Sequence, residues 1–474
     1  MKILIVSTNK NKNPIAVMPF GACLVAEATE KFGHRVKILD LMFSTNYKSD
    51  LEKQINLFKP DVIGLSIRNI DNNNFQNTVT YFDELKYLVN LIKKNSKAII
   101  VLGGSAVGIM PEELLRYTDV SLAVTGYGEI VFPKLLEAIS ENLSLNIQGV
   151  AQIESGNFVK NSLSNILVGD NCEVPDFNRW IDVNAYLKKQ SSIPVQTKRG
   201  CPYNCIYCTY PINEGKTYHL FSPKSVAASV RKLVEKGLND IEFVDNVFNS
   251  PYRHAIDVCN EIRSEKINAR FQTMSLNPRF VDDRLLDVME DIGFSGIGIT
   301  AESASDKVLK NLGKEYNSAE LHEAAISVYK HEVPCFWMFM LGGPGETKET
   351  VIETLEFAKN FVRSEDIASF AVGIRIYPGT ELAKKAGEDG DLNMYRPELL
   401  DPLFYTSQGL DADWAILEVK KYMDDNFNFI DSDSMGLSFL PSIYGLGYKL
   451  GVKPPLWKHV STMRRMSRLV GLNI

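Results

Sequence analysis

Cys201-Pro202-Tyr203-Asn204-Cys205-Ile206-Tyr207-Cys208 follows directly on Lys198-Arg199-Gly200 and gathers three of the chain's 7 cysteines at C-x3-C-x2-C spacing. Thiolates are soft ligands, and tight clusters of them suit zinc or iron–sulfur centres. A structural zinc site closes on four ligands. The next candidates, His219 and Cys259, stand well outside the loop. A zinc knuckle or plain thiols are the bland readings of this spacing taken alone.

Working outward, an apolar run at 193–198 reads as the strand that delivers the loop. Strand patterns follow at 240–244, 269–274, 295–300, 335–341 and 369–374, with helical patterns at 223–236, 251–264, 318–330 and 346–361. Roughly six strand–helix units result, too few to close an eight-strand barrel. Polar residues collect where the strands end: Val244-Asp245-Asn246, Met274 to Arg279, Thr300-Ala301-Glu302-Ser303, Gly342-Gly343-Pro344-Gly345-Glu346 and Arg375-Ile376. Taken singly, the glycine turn reads as a helix cap. Glu302 reads as a salt-bridge partner with Arg375 as its mate.

Before the loop, apolar strands at 2–7, 35–39, 60–67, 97–102 and 121–124 alternate with helical patterns at 18–32 and 81–94. That is the pattern of a doubly wound parallel sheet. Its strand ends carry Ser66 to Asn69, Gly103-Gly104-Ser105 and Thr125-Gly126-Tyr127-Gly128-Glu129, on the edge where open α/β sheets bind ligands. Each glycine alone reads as a tight turn. Residues 143–192 have weak periodicity, a hairpin pattern over 149–159 and no chemistry.

In this order the pieces resemble radical S-adenosylmethionine (radical SAM) enzymes with a cobalamin-binding domain, of the class B methyltransferase type. The resemblance covers about residues 1–385 and is strongest over 195–380. It implies an α/β chain with a doubly wound, cobalamin-binding-like Rossmann domain at 1–142, a linker at 143–192, a partial (β/α)6 TIM-type barrel at 193–385 and a mainly helical cap at 386–474. It implies that Cys201, Cys205 and Cys208 hold a 4Fe-4S cluster, leaving one iron open. By the same resemblance, Asp245, Asn246, Glu302, Ser303, Gly342, Gly343, Arg375 and Ile376 contact S-adenosylmethionine. Ser66, Asn69, Gly103, Gly104, Ser105, Thr125, Gly126, Gly128 and Glu129 contact cobalamin. Tyr207 would shield the cluster. One departure stands out. The Asp-x-His-x-x-Gly loop that supplies a cobalt ligand in the methionine-synthase type is Thr8 to Pro14 here, and the first histidine is His34. Cobalamin would bind with no His ligand.

The implied reaction is reductive cleavage of S-adenosylmethionine to a 5′-deoxyadenosyl radical, with cobalamin-dependent C-methylation of an unactivated carbon in a small-molecule or lipid-type metabolite. The alternative is a vestigial, cobalamin-free first domain and a dehydration, epimerisation, cyclisation or C–C bond formation. A non-catalytic iron–sulfur carrier is the third reading. An external electron donor such as flavodoxin or ferredoxin would be the partner. Net charge of -6 argues against a nucleic-acid binder. The start of the chain carries no signal-peptide pattern and no apolar run is long enough to span a bilayer, so the expected location is cytoplasmic. Lys458, Arg464, Arg465 and Arg468 lie among apolar residues near the end. They read as a helix across the barrel mouth with its charges in water, or else as a membrane-surface contact.

Overall fold

The computed structural model describes residues 1–162, 169–389, 401–433 and 440–469. The turn at Val168, the aromatic Phe439 and the chain end from 470 lie outside them.

Strands β1 (Lys2–Ser7), β2 (Arg35–Asp40), β3 (Val62–Ser66), β4 (Ile99–Gly103), β5 (Leu122–Val124), β6 (Val150–Glu154) and β7 (Asn157–Lys160) form one sheet. Their order is β2-β1-β3-β4-β5-β6-β7. The first five are parallel, and the hairpin β6–β7 adds antiparallel strands beside β5. Ile3 and Ile5 face one apolar layer while Leu4 and Val6 face the other. Burial on both faces is why β1 is apolar from Ile3 to Val6. The order reverses between β1 and β3, so their carboxyl ends flank a crevice. The helix Tyr47–Phe58 escaped the sequence reading because only Leu51, Ile55 and Phe58 are buried on it.

The joining segment is a wedge between the sheets. Phe177, Trp180 and Tyr186 are buried in one apolar cluster with Ile3 and Ile5 of the first sheet and Ile193 and Phe243 of the second. The Tyr186 hydroxyl donates to Asp40 at 2.6 Å, and Ser191 Oγ to the Ala16 carbonyl at 2.5 Å.

The second sheet starts at β8 (Ile193–Val195). The short antiparallel pair β9 (Lys198–Arg199) and β10 (His219–Leu220) brackets the cysteine loop. Then come β11 (Asp240–Phe243), β12 (Arg270–Leu276), β13 (Phe294–Glu302), β14 (Cys335–Leu341) and β15 (Ile367–Val372), the antiparallel pair β16 (Ile374–Ile376) and β17 (Leu403–Tyr405), and β18 (Phe429–Asp431). The parallel order is β18-β15-β14-β13-β12-β11-β8, a partial barrel with two free edges. Its seventh strand comes from the segment expected to be a helical cap. A three-residue strand is too short to leave a period in the sequence.

The described part of the last segment, 455–469, does not lie across the mouth. Trp457 and Val460 pack inside the barrel with Met274, Phe336 and Met338. Arg464 donates to the carbonyls of Phe427 at 3.2 Å and Met423 at 3.3 Å, and Arg468 pairs with Asp424 at 3.2 Å. The Arg464 bonds satisfy main-chain acceptors at the carboxyl end of the helix Ala412–Asp425 and just beyond it. The mouth is instead clasped from the first domain. Gln76 N–H donates to Asp433 at 2.8 Å, and Asp71 pairs with Arg375 at 2.9 Å. Among the described residues no helix is long and apolar enough to cross a membrane.

Candidate active site

Both sheets turn their carboxyl ends toward one cleft. The cysteine loop enters it through Gly200, whose φ of 78° places it in the left-handed region. A Cβ there would meet the Thr217 carbonyl at 2.0 Å, so only glycine fits. Cys201 N–H donates to Gly215 at 3.1 Å, Ile206 N–H to Leu312 at 3.1 Å and Leu382 N–H to Ile206 at 2.9 Å. Main-chain bonds thus tie the loop to three other segments.

Cys201 is buried, and Cys205 and Cys208 are partly exposed. Burial raises all three thiols, Cys208 to about 12; Cys205 adds to the rise at Cys201, and both Cys205 and Cys201 add to it at Cys208. Lys314 pulls the other way on all three. A metal centre must therefore displace protons here. Among the described residues no three Cys, His, Asp or Glu side chains converge on a single-ion position. That donor set, three thiols around a loop, suits a polynuclear cluster better than a closed zinc.

The barrel's strand ends are already paired. Asp245 was expected to meet the methionine ammonium, but its carboxylate is filled. It accepts from Thr197 N–H and Thr197 Oγ1, each at 2.7 Å, and faces the buried Lys198 Nζ at 3.4 Å. Glu302 takes Lys314 at 2.8 Å and the Tyr207 hydroxyl at 2.6 Å; Arg375 is not its mate. Burial opposes the charge on Lys314, but Glu302 and then Tyr207 and Tyr316 outweigh it and hold the lysine protonated. Ser303 is buried against Thr354 at 3.1 Å. The N–H groups of Gly342 and Gly343, expected to face the cofactor, donate to Glu346 at 2.9 and 3.2 Å. Ile376 is fully buried in a small apolar cluster.

Asn246 is different. Its Nδ2 donates to Glu214 at 2.9 Å and to the Gly200 carbonyl at 3.3 Å. Its Oδ1 is buried without a partner. An unsatisfied buried acceptor beside the cysteine loop fits an N–H donor such as the ammonium of S-adenosylmethionine.

Across the cleft, Ser66, Gly103, Gly104, Ser105, Gly126, Gly128 and Glu129 line a cavity of ≈ 400 Å³. The barrel closes it with Pro194, Gln196, Arg199, Asn213, Glu214 and Val244. Gly104 has φ 97°, and a Cβ there would meet the Ile67 carbonyl at 2.4 Å. Glu129 is ion-paired with Arg199 across the cleft, and the Tyr127 hydroxyl donates to the Glu214 carbonyl at 2.7 Å. Two expected contacts sit elsewhere. Thr125 is buried with its hydroxyl on the Gly149 carbonyl at 3.1 Å, and Asn69 lines the neighbouring pocket. The first loop contributes Asn9. The wall, glycine-lined and mainly apolar, suits a broad flat ligand.

Residues 195–358 match the model of the radical SAM superfamily, and residues 15–136 match the B12-binding domain. The chain carries a radical SAM domain preceded by a B12-binding domain. The radical SAM match begins in β8 and runs through the cysteine loop into the helix Lys348–Phe361. An uncharacterized methyltransferase of Pyrococcus horikoshii is 29% identical over 374 residues, 77% of each chain. The tryptophan 2-C-methyltransferase of Streptomyces laurentii is 21% identical over 452 residues, 82% of this chain and 75% of the relative. The radical S-adenosylmethionine methyltransferase TsrM of Kitasatospora setae, solved with cobalamin and a 4Fe-4S cluster, shares the fold. Its TM-score is 0.84 at 22% identity, covering 99% of each chain.

Sequence reasoning missed Glu214 and Lys314, and held Arg68 only within the run Ser66 to Asn69. Arg68 stands in the cleft, reached by solvent yet hemmed by protein, and that desolvation lowers its pKa against the pull of Tyr210 and Glu242. None belongs to a spaced motif. Lys314 is a partner of Glu302 only through the turn that brings it back.

Proposed function

We propose that this radical SAM enzyme is a cobalamin-dependent methyltransferase acting on carbon in a small molecule. One observation carries the reading: the glycine-lined edge of the first sheet and the strand ends beside the cysteine loop open into the same cavity. The relatives named above support it, since both are methyltransferases by name. When bound, the cluster and S-adenosylmethionine supply one-electron chemistry, and cobalamin supplies a transferable methyl group.

Cys201, Cys205 and Cys208 are the ligands for the cluster. Asn246 receives an N–H of S-adenosylmethionine on its free Oδ1. Gly103, Gly104, Gly126 and Gly128 leave room for a corrin ring. Asp245 and Glu302 act at one remove. The Asp245–Lys198 pair fixes the strand that enters the cysteine loop, and Glu302 with Lys314 fixes Tyr207 inside it. The inner barrel face below the cleft receives the substrate, and the Trp457 segment excludes water from its far end.

The test is anaerobic reconstitution with iron, sulfide and cobalamin. The expected result is iron–sulfur absorbance, corrinoid that co-elutes with the protein, and label passing from methyl-labelled S-adenosylmethionine to an added acceptor. Cys205→Ala should lose the cluster absorbance and keep the corrinoid. Protein that holds its cluster but retains no corrinoid would overturn the reading.

A further inference from the structure

The inner face of the barrel carries a row of register partners: Pro194 on β8, Glu242 on β11, Gln272 on β12 and Gly296 on β13. Alternate residues on these strands share a face. Pro194 and Val244 line the cleft, so Glu242 stands on the cleft side of its strand. Phe271, on the other face of β12, packs in the outer apolar cluster. Met274, two residues on from Gln272, packs in the inner one. The far end of the row is plugged. A Cβ on Gly296 would strike Pro455 at 2.7 Å and Trp457 at 2.9 Å, so that glycine admits the chain's end.

Gln272 is 8% exposed. Its Nε2 donates to Ser192 Oγ at 2.6 Å and to Glu242 Oε2 at 3.1 Å. Those two acceptors fix which way the amide points, because the flipped amide would set its oxygen against a carboxylate. Its Oε1 is then left buried without a partner. Glu242 accepts from Gln272 through Oε2, and no described side chain donates to its other oxygen. Burial raises the Glu242 pKa, against the Gln272 bond and the charge of Arg68 on the first domain. A buried acceptor beside a carboxylate, on an inner face that also carries Met274, Phe336 and Met338, awaits a hydrogen-bond donor.

We infer that Gln272 and Glu242 are the specificity pair of the barrel and select a substrate that carries an N–H group, an amine or an N–H heterocycle. The inference deepens the proposed function and rests on its placing of the substrate on this inner face. It disfavours a purely hydrocarbon lipid target, which would leave both acceptors stranded. A site built to meet an N–H discriminates strongly against the isostere that lacks it, because the buried partner is left unpaired.

The experiment uses full-length protein reconstituted with cluster and cobalamin. Binding of two isosteric pairs is followed by ligand-observed NMR: indole against benzothiophene, and benzylamine against ethylbenzene. Wild type is expected to bind at least one N–H member about tenfold or more tighter than its isostere. In Gln272→Leu and Glu242→Leu that preference should fall to about twofold or less, with cluster and corrinoid content unchanged as the check on folding. Gln272→Met serves as the second variant if Gln272→Leu loses its cofactors. Equal binding of both pair members by wild type would overturn the inference, as would a preference that survives in every variant. Its failure is separable from that of the proposed function. Protein that transfers methyl but ignores the N–H sinks this inference alone. Protein that retains no corrinoid yet prefers the N–H sinks only the methyl-transfer reading.

Discussion

The two sheet edges that share the cleft are built in opposite ways. The first-domain edge is backbone: Gly103, Gly104, Gly126 and Gly128 keep side chains away from the cavity. The barrel edge is crowded with polar groups that have already found one another: Asp245 with Lys198, Glu302 with Lys314 and Tyr207, Glu346 with the Gly342 and Gly343 N–H groups. A broad ligand needs room more than it needs charges. A cysteine loop that must hold a cluster in one place needs a rigid frame, and buried, fully bonded ion pairs supply rigidity. Changes at the first edge should therefore alter what binds, and changes at the second should alter how well the protein holds together.

The hardest blow to that contrast is Asp245→Ala. Removing one partner strands Lys198, whose charge burial already disfavours against the pull of Asp245. The expected loss is about 3 to 5 kcal/mol, read by denaturant unfolding of the cofactor-free protein. A variant as stable as wild type would mean that the barrel edge is not locked.

Next in size is a pH effect. Burial pushes the Glu346 carboxyl up to about 7, against the hydrogen bonds from Gly342, Thr350 and Gly343. A carboxyl raised on folding contributes stability that is fully present below its unfolded pKa and is lost as pH rises through the folded one. From pH 5 to pH 8 this group should subtract roughly 2 kcal/mol. Glu346→Gln keeps an acceptor for the two N–H groups and should flatten that part of the stability–pH profile. An unchanged profile would place the titration elsewhere.

At the first edge, Gly104→Ala sets a Cβ against the Ile67 carbonyl. The backbone strain should cost about 1 to 3 kcal/mol. The sharper readout is corrinoid retention, which should fall while iron–sulfur absorbance after reconstitution does not. Loss of both together would erase the distinction between the edges. The smallest effect belongs to Tyr207→Phe. It deletes one hydrogen bond to Glu302 and leaves Lys314 in place, so about 1 kcal/mol is expected, with the cluster still assembled.

The frame of the molecule was legible in the chain because it is written in local periods. Apolar runs two-sided in burial gave the parallel strands, and the spacing of Cys201, Cys205 and Cys208 gave the cluster loop. What failed were short or sparse signals, such as β18 and the helix Tyr47–Phe58. The partners of the polar residues at strand ends were not legible, for a different reason. Asp245, Glu302, Gly342 and Gly343 stand where a ligand could be met, but a residue type at a strand end does not say what else has reached it first.

Order along the chain thus determined the two α/β units, the three-cysteine loop and the glycine-rich edge, since each depends on neighbours a few residues apart. Tertiary structure alone decided that Lys198 fills Asp245, that Arg375 reaches Asp71, that Trp457 plugs the barrel beside Gly296, and that Asn246 and Gln272 keep an acceptor open. Pairing of charges and satisfaction of hydrogen bonds are settled across space, by whichever donor arrives within about 3 Å, and no spacing in a sequence records that.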